Sequence, residues 1–442
     1  MHQKLAIERI VNLIDPRTDI FFNMSPEEAQ ERVASGDASA VHGIDGRFAL
    51  VATSGQTVRM ARSLDRPLRY FIAKRADGPY LITADRIDVI HHYLKQEGLA
   101  DQFHPSYTRM APAHHITEVA LIGCPDPNPV YRRFFAPPRA TLPADPEVIG
   151  RHYIEALSDE ISKWLLQHAN EGPIGVCFSS GIDSGAVFLL AYHSLLRLGQ
   201  SPSRLKAFTL SLDGKGADLA QARRFLDTLD LGLFLEPIEM PQSAVNWREA
   251  IRVVEDYKPL DIQSAAMSLA LCRGIRERYP RWRHLIDGDG GDENLKDYPI
   301  EENPELTIRS VFNNSMLYQE GWGVDSIKHS LTYTGGLSRS YTRTYAPARA
   351  FGFDGFSPFT LPRLVAIAEA IPFIDLTGWD HERLYDLKGD IVRRGVKAVT
   401  GLDMPIFPKR RFQHGAASRD GFAELFPRQE MEYRRAFQAI YE

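Results

Sequence analysis

This sequence has few cysteines, no excess of basic residues and no long hydrophobic runs. The three cysteines, Cys124, Cys177 and Cys272, are far apart and form no C-x-x-C pair, which argues against a disulfide framework or a zinc site. The formal net charge of -5 gives no signature of a nucleic-acid partner. No apolar run reaches membrane-spanning length, and the first residues lack the apolar core of a signal peptide. We therefore expect a cytoplasmic protein that binds neither nucleic acid nor a membrane.

The chain is long enough for two domains, and its pattern changes at a proline-rich stretch between residues 125 and 146. Before this stretch, short strands alternate with turns and predict two hairpins, over 46–61 and 69–83, followed by a helix over 87–96. We expect a layered antiparallel β domain there. After it, helices alternate with strands, which predicts a parallel sheet covered by helices. The predicted fold is therefore α/β, with a domain boundary after residue 140.

The second predicted domain, 141–442, begins with an amphipathic helix over 148–170. In parallel sheets of this kind, ligands bind beyond the carboxyl ends of the strands. The polar loops that follow the strands are thus the candidates for a functional site. The apolar runs predict strands over 174–178, 205–212, 231–238 and 284–287, and helices ending near 199 and spanning 218–229 and 263–278.

The segment after the first of these strands has the composition of a phosphate-binding loop. Residues 179–184 (Ser-Ser-Gly-Ile-Asp-Ser), the first loop, are small and polar, and an apolar helical pattern follows them. Backbone N–H groups and a helix N-terminus bind anions, and the serine hydroxyls add donors. Asp183 would repel phosphate unless a cation such as Mg²⁺ lay between them. The alternative is an ordinary strand-to-helix turn with a serine cap. No lysine follows the glycine, so this is not a G-x-x-x-x-G-K-[ST] loop.

A second polar loop ends the last predicted strand. Residues 287–293 (Asp-Gly-Asp-Gly-Gly-Asp-Glu), the second loop, contain four acids and three glycines, which favours a metal site over a core element. The glycines permit close backbone approach. The alternatives are a solvated acidic loop and a calcium loop, although the calcium template D-x-[DN]-x-[DN]-G-x₅-E is not met. Two such loops, each at the end of a strand, are more specific together than either is alone.

The first loop resembles the Ser-Gly-Gly-x-Asp-Ser loop of the ATP-pyrophosphatase (PP-loop) family, with Ser180 in place of the first glycine. The second loop resembles the Ser-Gly-x-Gly-x-Asp-Glu loop of asparagine synthetases. The resemblance implies a PP-loop synthetase domain in which Asp183 and Asp292 hold Mg²⁺ from opposite sides of the pyrophosphate of ATP. Asp287 and Gly288 would line the adenine and ribose. The implied ATP-binding residues are Phe178, Ser179, Ser180, Gly181, Asp183, Ser184, Leu210, Asp287 and Gly288.

The N-terminal region resembles the glutaminase domain of asparagine synthetases, on the runs 61–70 (Ala-Arg-Ser-Leu-Asp-Arg-Pro-Leu-Arg-Tyr) and 82–90 (Ile-Thr-Ala-Asp-Arg-Ile-Asp-Val-Ile). The working domain needs a cysteine nucleophile directly after the initiator methionine. Here that position is His2, and no cysteine precedes Cys124. The resemblance implies a degenerate class II glutamine amidotransferase-like domain, with an Ntn-like layered β fold, that releases no ammonia. We interpret His2 as an ordinary exposed residue.

Three C-terminal segments, 354–365, 388–394 and 407–415, match asparagine synthetase segments in order. We predict that each of the first two opens a helix. The resemblance implies that Lys388 and Lys409 reach the ATP phosphates and the adenylate, where a fixed ammonium stabilises the departing pyrophosphate. The alternative for the basic run that begins at Lys409 is a solvated face or a weak nucleic-acid patch.

The sequence does not identify the residue that acts as a base toward the amine. Asp354 falls where asparagine synthetases carry Glu and β-lactam synthetases carry the catalytic Tyr, and an acid could deprotonate or orient an attacking amine. Tyr341, Tyr345 and Glu382 could supply a Tyr–acid pair instead. Taken singly, each of them is better explained by a structural role.

The resemblance extends over residues 46–415 and implies a C–N ligase of the asparagine synthetase superfamily, in a β-lactam synthetase-like branch. ATP and a carboxylate would give an acyl-adenylate and pyrophosphate, and an amine would then displace AMP. The expected partners are a small-molecule or peptide carboxylate, which the segment 294–345 is expected to contact, and an amine. Because the nucleophilic cysteine is missing, we favour a glutamine-independent amide or lactam synthetase of natural-product (antibiotic) biosynthesis.

Three alternatives are weighed against this interpretation. One is an ammonia-dependent asparagine synthetase that has lost glutamine hydrolysis. Another is a non-catalytic nucleotide-binding scaffold, which the retained Asp183, Asp292, Lys388 and Lys409 disfavour. A PP-loop enzyme that modifies tRNA is disfavoured by the acidic charge balance and the lack of paired cysteines. The oligomeric state is open, and a homodimer is among its alternatives.

Overall fold

The computed structural model describes residues 9–75, 80–120, 128–168, 172–214, 216–297, 338, 340–408 and 424–442. Within these residues the chain forms two compact units. The first comprises the described residues up to Ala136 together with 438–442, and the second comprises those between Pro137 and Phe437. No helix in the described ranges is both long enough and apolar enough to cross a membrane.

The first unit is built mainly of short strands. Its strands are β1 (Arg9–Asn12), β2 (Ile20–Phe21), β3 (Gly46–Arg47), β4 (Ala49–Ser54), β5 (Thr57–Arg62), β6 (Arg69–Ala73), β7 (Tyr80–Ala84), β8 (Arg109–Met110), β9 (His115–Ala120) and β10 (Val130–Arg133). Its helices are α1 (Pro26–Ser35), α2 (Ala38–His42) and α3 (Ile87–Gln96). One sheet has the order β1-β7-β6-β8, the other has the order β10-β9-β5-β4, and β2 pairs with β3.

Both predicted hairpins are confirmed. Strands β4 and β5 are antiparallel and close where Ser54 faces Thr57, with Gly55 in the turn at a φ of 61°. Strands β6 and β7 are also antiparallel, and α3 has the predicted bounds. The expectation of purely antiparallel sheets is wrong at β1, which pairs in parallel with β7. Parallel pairing needs a long connection, and residues 13–79 separate the two strands along the chain.

One contiguous apolar cluster contains residues of both sheets, including Val51 and Met60 from one sheet and Phe71 and Ile82 from the other. A second cluster lies on the opposite side of the β4–β5–β9 sheet, where α1 packs through Val33. The first unit therefore has a layered arrangement, in which a sheet is covered by a sheet on one face and by helices on the other.

The second unit contains a five-stranded, wholly parallel sheet of order β13-β12-β11-β14-β15. Its strands are β11 (Ile174–Cys177), β12 (Leu205–Leu212), β13 (Leu235–Met240), β14 (His284–Ile286) and β15 (Asp354–Phe356). Its helices are α4 (Pro146–Gln167), α5 (Ile182–Arg197), α6 (Ala217–Asp227), α7 (Trp247–Val254), α8 (Pro259–Arg278), α9 (Gly291–Asn294), α10 (Ala346–Ala350), α11 (Pro362–Glu369), α12 (Phe373–Thr377), α13 (Arg383–Thr400) and α14 (Glu430–Gln438). A π-helical turn, Tyr341–Tyr345, leads into α10. The predicted parallel α/β sheet is confirmed.

Two C-terminal predictions are corrected. Residues 354–356 form strand β15, which is parallel to β14, and helix α11 begins only at Pro362. A proline fits the first turn of a helix because its missing N–H has no intrahelical partner there. Lys388 lies inside α13, which begins at Arg383, and does not open it. The expected strand at 231–238 likewise begins later, at Leu235.

The sheet brings the two polar loops to one edge. Strands β11 and β14 are neighbours, with Ile174 facing His284, and they run in the same direction. The first loop follows β11 and the second loop follows β14. Both loops therefore lie at the carboxyl ends of adjacent strands, where parallel sheets bind ligands.

Helix α13 is fixed over this edge by close packing on α4. A Cβ atom on Gly395 would lie 2.2 Å from the backbone oxygen of Gly150, and one on Gly150 would lie 2.4 Å from the backbone oxygen of Ile391. Only glycine permits this separation of the two helix backbones. The contact determines where α13 places Lys388.

Candidate active site

The first loop folds back on itself through its serines. The Ser179 backbone N–H donates to Ser184 Oγ at 3.2 Å, and the two hydroxyl oxygens are 3.1 Å apart. Helix α5 starts at Ile182 without a side-chain cap. The first N–H groups of a helix have no intrahelical acceptor and carry the positive end of the helix dipole. The loop therefore offers backbone and hydroxyl donors to an anion.

Ser180 adopts a backbone conformation that favours glycine, with a φ of 57°. A residue with a side chain loses roughly 1–2 kcal/mol in the left-handed region. The buried Ser180 hydroxyl is held at both ends, because it donates to the Ser179 carbonyl oxygen at 2.5 Å and accepts from Gln221 Nε2 at 3.1 Å. These bonds explain how a serine is tolerated where the resembling loop has glycine.

The second loop is held by its own carboxylates. The buried Asp287 accepts from Ser357 Oγ at 2.8 Å and from the Asp289 backbone N–H at 3.0 Å. Asp289 in turn accepts from Thr344 Oγ1 at 2.5 Å. Ser357, which follows strand β15, and Thr344 of the π-helical turn thus support the loop from two sides.

Two glycines let the loops touch. A Cβ atom on Gly288 would lie 2.6 Å from the Ser184 backbone nitrogen, and one on Gly291 would lie 2.2 Å from Asp183 Oδ1. Real Cβ atoms essentially never come within 3.0 Å of another group. The second loop therefore packs directly on the first turn of α5, and the two loops form a single site.

Lys388 contacts an aspartate of each loop. Its Nζ lies 2.6 Å from Asp183 Oδ2, donates a hydrogen bond to Asp292 Oδ1, and is 3.7 Å from Asp297 Oδ2. Burial alone would lower the pKa of Lys388, but the three carboxylates raise this pKa well above its usual value. Burial raises the pKa of Asp183, and the ammonium of Lys388 opposes that rise. The site thus contains a buried ammonium surrounded by three carboxyl groups.

The carboxylates suit a cation that is shared with a ligand. Asp183 Oδ1 is buried and accepts no hydrogen bond from the described residues, and Asp183 and Asp292 meet at one ammonium. The described residues contain no group of three or more His, Cys, Asp and Glu side chains able to hold a metal by themselves. Mg²⁺ is commonly bound by one or two carboxylates plus substrate phosphates. Asp183 and Asp292 therefore fit a Mg²⁺ ion whose coordination a phosphate ligand completes.

The structure brings most of the predicted residues together. Phe178 lies beside β12, since its backbone N–H donates to the Phe208 carbonyl oxygen at 2.8 Å, and Leu210 is on the same strand. Tyr345 is buried next to Thr344, whose hydroxyl contacts the second loop. The other predicted residues that lie in or against the two loops are Ser179, Ser180, Gly181, Asp183, Ser184, Asp287, Gly288, Asp292 and Lys388.

Two predicted residues are not brought to the loops. Asp354 starts strand β15 at the amino edge of the sheet, opposite to the loops, and its carboxylate is 3.1 Å from Arg283. This placement does not bring Asp354 to the loops, and its action on the amine stays a prediction. Glu382 is exposed just before α13, about 9 Å along the helix axis from Lys388 at 1.5 Å per residue. Lys409 lies outside the described residues.

Several residues of the site were not predicted. Asp297 follows the second loop in a stretch without helical or strand periodicity, so no sequence signal marks it. Tyr385 precedes Lys388 by three residues, and this helical spacing could have identified it. Burial raises the Tyr385 pKa to about 12. Tyr153 on α4 accepts a hydrogen bond at 2.9 Å from Nδ2 of Asn294, the residue that directly follows the second loop.

One comparison with known proteins covers the part of the chain that contains both loops. Residues 164–351 match the family model described as Asparagine synthase. No curated protein matches the chain. The match spans less than half of the chain, includes both loops, and ends before Lys388. It supports assigning residues 164–351 to the asparagine synthetase superfamily, and with it ATP-dependent C–N ligase chemistry.

Proposed function

We propose that this protein is an ATP- and Mg²⁺-dependent ligase that joins a carboxylate to an amine through an acyl-adenylate, with release of pyrophosphate and AMP. The observation that supports it best is the direct packing of the two loops, which gathers Asp183, Asp292 and Lys388 at the carboxyl edge of the sheet. Anion donors, carboxylates for a cation, and a buried ammonium are the groups that nucleotidyl transfer requires.

Each part of the site has a distinct role in this proposal. The first loop and the N-terminus of α5 bind phosphate oxygens. Asp183 and Asp292 hold Mg²⁺, which neutralises charge on the phosphates when bound. Asp287 and Gly288 line the nucleoside, with Phe178 and Leu210 at the neighbouring strands. The site binds and orients its substrates and provides no covalent nucleophile, so its contribution is positioning and fixed charge.

Lys388 supplies positive charge without a proton transfer. Its pKa is raised by the surrounding carboxylates, so the ammonium stays protonated while negative charge develops on the departing pyrophosphate. We assign a similar role to Lys409 on the basis of its sequence match. Tyr345, which lies beside the second loop, is retained as a candidate residue near the acyl group.

The amine is proposed to come from a source other than glutamine. The sequence has His2 where the resembling glutaminases need a cysteine nucleophile. A specialised amide or lactam synthetase of natural-product biosynthesis is favoured on this ground. Free ammonia as the amine and aspartate as the carboxylate would instead make the protein an asparagine synthetase.

The experiment is pyrophosphate release from Mg-ATP across a panel of carboxylates, with and without an added amine. The panel contains aspartate, N-carboxymethylated amino acids, β-amino acids and short peptides. Release with one acid and no added amine, with loss of water from that acid, supports lactam formation. Release that requires an amine supports intermolecular amide synthesis. ATP binding without release for any acid would contradict the proposal and favour a nucleotide-binding scaffold.

A further inference from the structure

The ammonium of Lys388 occupies the point at which the two carboxylates for Mg²⁺ meet. Its Nζ lies 2.6 Å from Asp183 Oδ2 and donates to Asp292 Oδ1. Mg²⁺ binds carboxylate oxygens at about 2.0–2.1 Å. A divalent cation shared by these two oxygens would therefore need the space that Nζ fills, and one of the two cations has to give way.

A third carboxylate lies where the ammonium could go. Asp297 is buried, and its Oδ2 is 3.7 Å from Nζ. A charge-assisted N–H···O bond is about 2.7–2.9 Å long, so a shift of roughly 1 Å would pair Lys388 with Asp297. Lys388 is only 2% exposed, and a buried charge that loses its partners needs another one nearby.

We propose that Lys388 is a resident counter-ion that keeps free divalent cations away from Asp183 and Asp292, and that Asp297 receives its ammonium when a cation arrives with ATP. A cation alone must displace the ammonium without any further ligand. When ATP is present, its phosphate oxygens also bind the cation, and this added binding offsets the free energy lost when the ammonium is displaced. Asp297 acts only through Lys388 and is a positioning residue. The inference rests on the proposed function in one respect, since it takes Asp183 and Asp292 as the cation ligands.

The test is binding of Mn²⁺ to the full chain without nucleotide, measured by electron paramagnetic resonance. K388M is expected to bind Mn²⁺ at least tenfold more tightly than the unmodified protein. The matched control is K397M, because Lys397 is an exposed lysine on the same helix, paired with Asp403 at 3.3 Å, and it should leave the affinity unchanged. Equal affinity of K388M and the unmodified protein would overturn the proposal. If K388M does not fold, K388Q keeps a donor to the carboxylates without the charge and is expected to show the same increase.

A double-mutant cycle tests the role of Asp297. D297N should weaken Mn²⁺ binding when Lys388 is present, because the displaced ammonium then has no carboxylate at position 297. It should have no effect in K388M, because that variant has no ammonium to be displaced. Equal weakening in both backgrounds would mean that Asp297 acts on the cation directly, and would overturn its assignment. These readouts need no turnover. A chain that shows the expected Mn²⁺ pattern but releases no pyrophosphate would contradict the proposed function and leave this inference standing.

Discussion

The contact between the two loops predicts a large effect from one added methyl group at Gly288. In G288A the new Cβ would lie 2.6 Å from the Ser184 nitrogen and 2.9 Å from the Asp183 carbonyl carbon. Ordinary contacts begin near 3.4 Å. The loops must therefore separate by about 0.8 Å, which is the difference between 3.4 Å and the 2.6 Å contact with the Ser184 nitrogen. The groups in the way are backbone atoms, which cannot rotate aside. Misplacement by about 1 Å can cost about 100-fold in rate, and overpacking costs about 1–3 kcal/mol of stability.

The matched control is G389A, which makes the same change beside Lys388. A Cβ there would meet Ile406 at 3.6 Å and Ile182 at 3.8 Å, which are ordinary distances. Alanine in a helix interior gains roughly 0.5–1 kcal/mol over glycine. Pyrophosphate release and urea unfolding are measured for both variants. We expect a loss of about 100-fold and lower stability for G288A alone. Undiminished release and stability in G288A would refute the packing of the loops on which the site depends.

Three further outcomes follow from the structure. D183N should abolish pyrophosphate release while the chain stays folded, because a neutral amide binds a divalent cation much more weakly than a carboxylate does; wild-type rates would contradict the site. N294A removes the donor to the buried Tyr153 hydroxyl and to the Phe359 carbonyl oxygen, so urea unfolding should show a loss of about 1–3 kcal/mol, and an unchanged midpoint would show that these two bonds contribute nothing. The hydrogen bond from Arg59 lowers the pKa of Glu118 below its usual 4.5. The pair therefore contributes stability that is fully present above about pH 4.5 and is lost as the pH falls through the lowered pKa. In E118Q the free energy of unfolding should consequently fall less steeply below pH 4.5 than in the unmodified protein. An equally steep fall in both proteins would be evidence against this pairing.

The sheet of the second unit could be predicted because its strands are continuous apolar runs, and strand β12 was predicted with its observed bounds. The two loops were identified because glycine, serine and aspartate have few other uses directly after a buried strand. Strand β15 was missed because three residues are too short to show any period. Asp354 was therefore expected at the opening of a helix, whereas it begins a strand at the amino edge of the sheet.

The Lys388 cluster could be predicted only in part. Lys388 and Asp183 are separated by 205 residues along the chain, and their contact depends on how α13 packs on α4 through Gly150 and Gly395. No local pattern encodes that packing. The sequence suggested a lysine near the phosphates, but the structure was needed to show it between two carboxylates that were expected to hold a cation.

We propose above all that the site activates a carboxylate by transfer of AMP. The most direct measurement uses the active carboxylate labelled with ¹⁸O in both oxygens, together with Mg-ATP and the amine, and analyses the products by mass spectrometry. An acyl-adenylate forms when a carboxylate oxygen attacks the α-phosphorus, and amide formation then leaves that oxygen on the phosphate. We expect AMP that carries one ¹⁸O, in equal amount to the amide. Formation of ADP and phosphate, or AMP without the label, would contradict it.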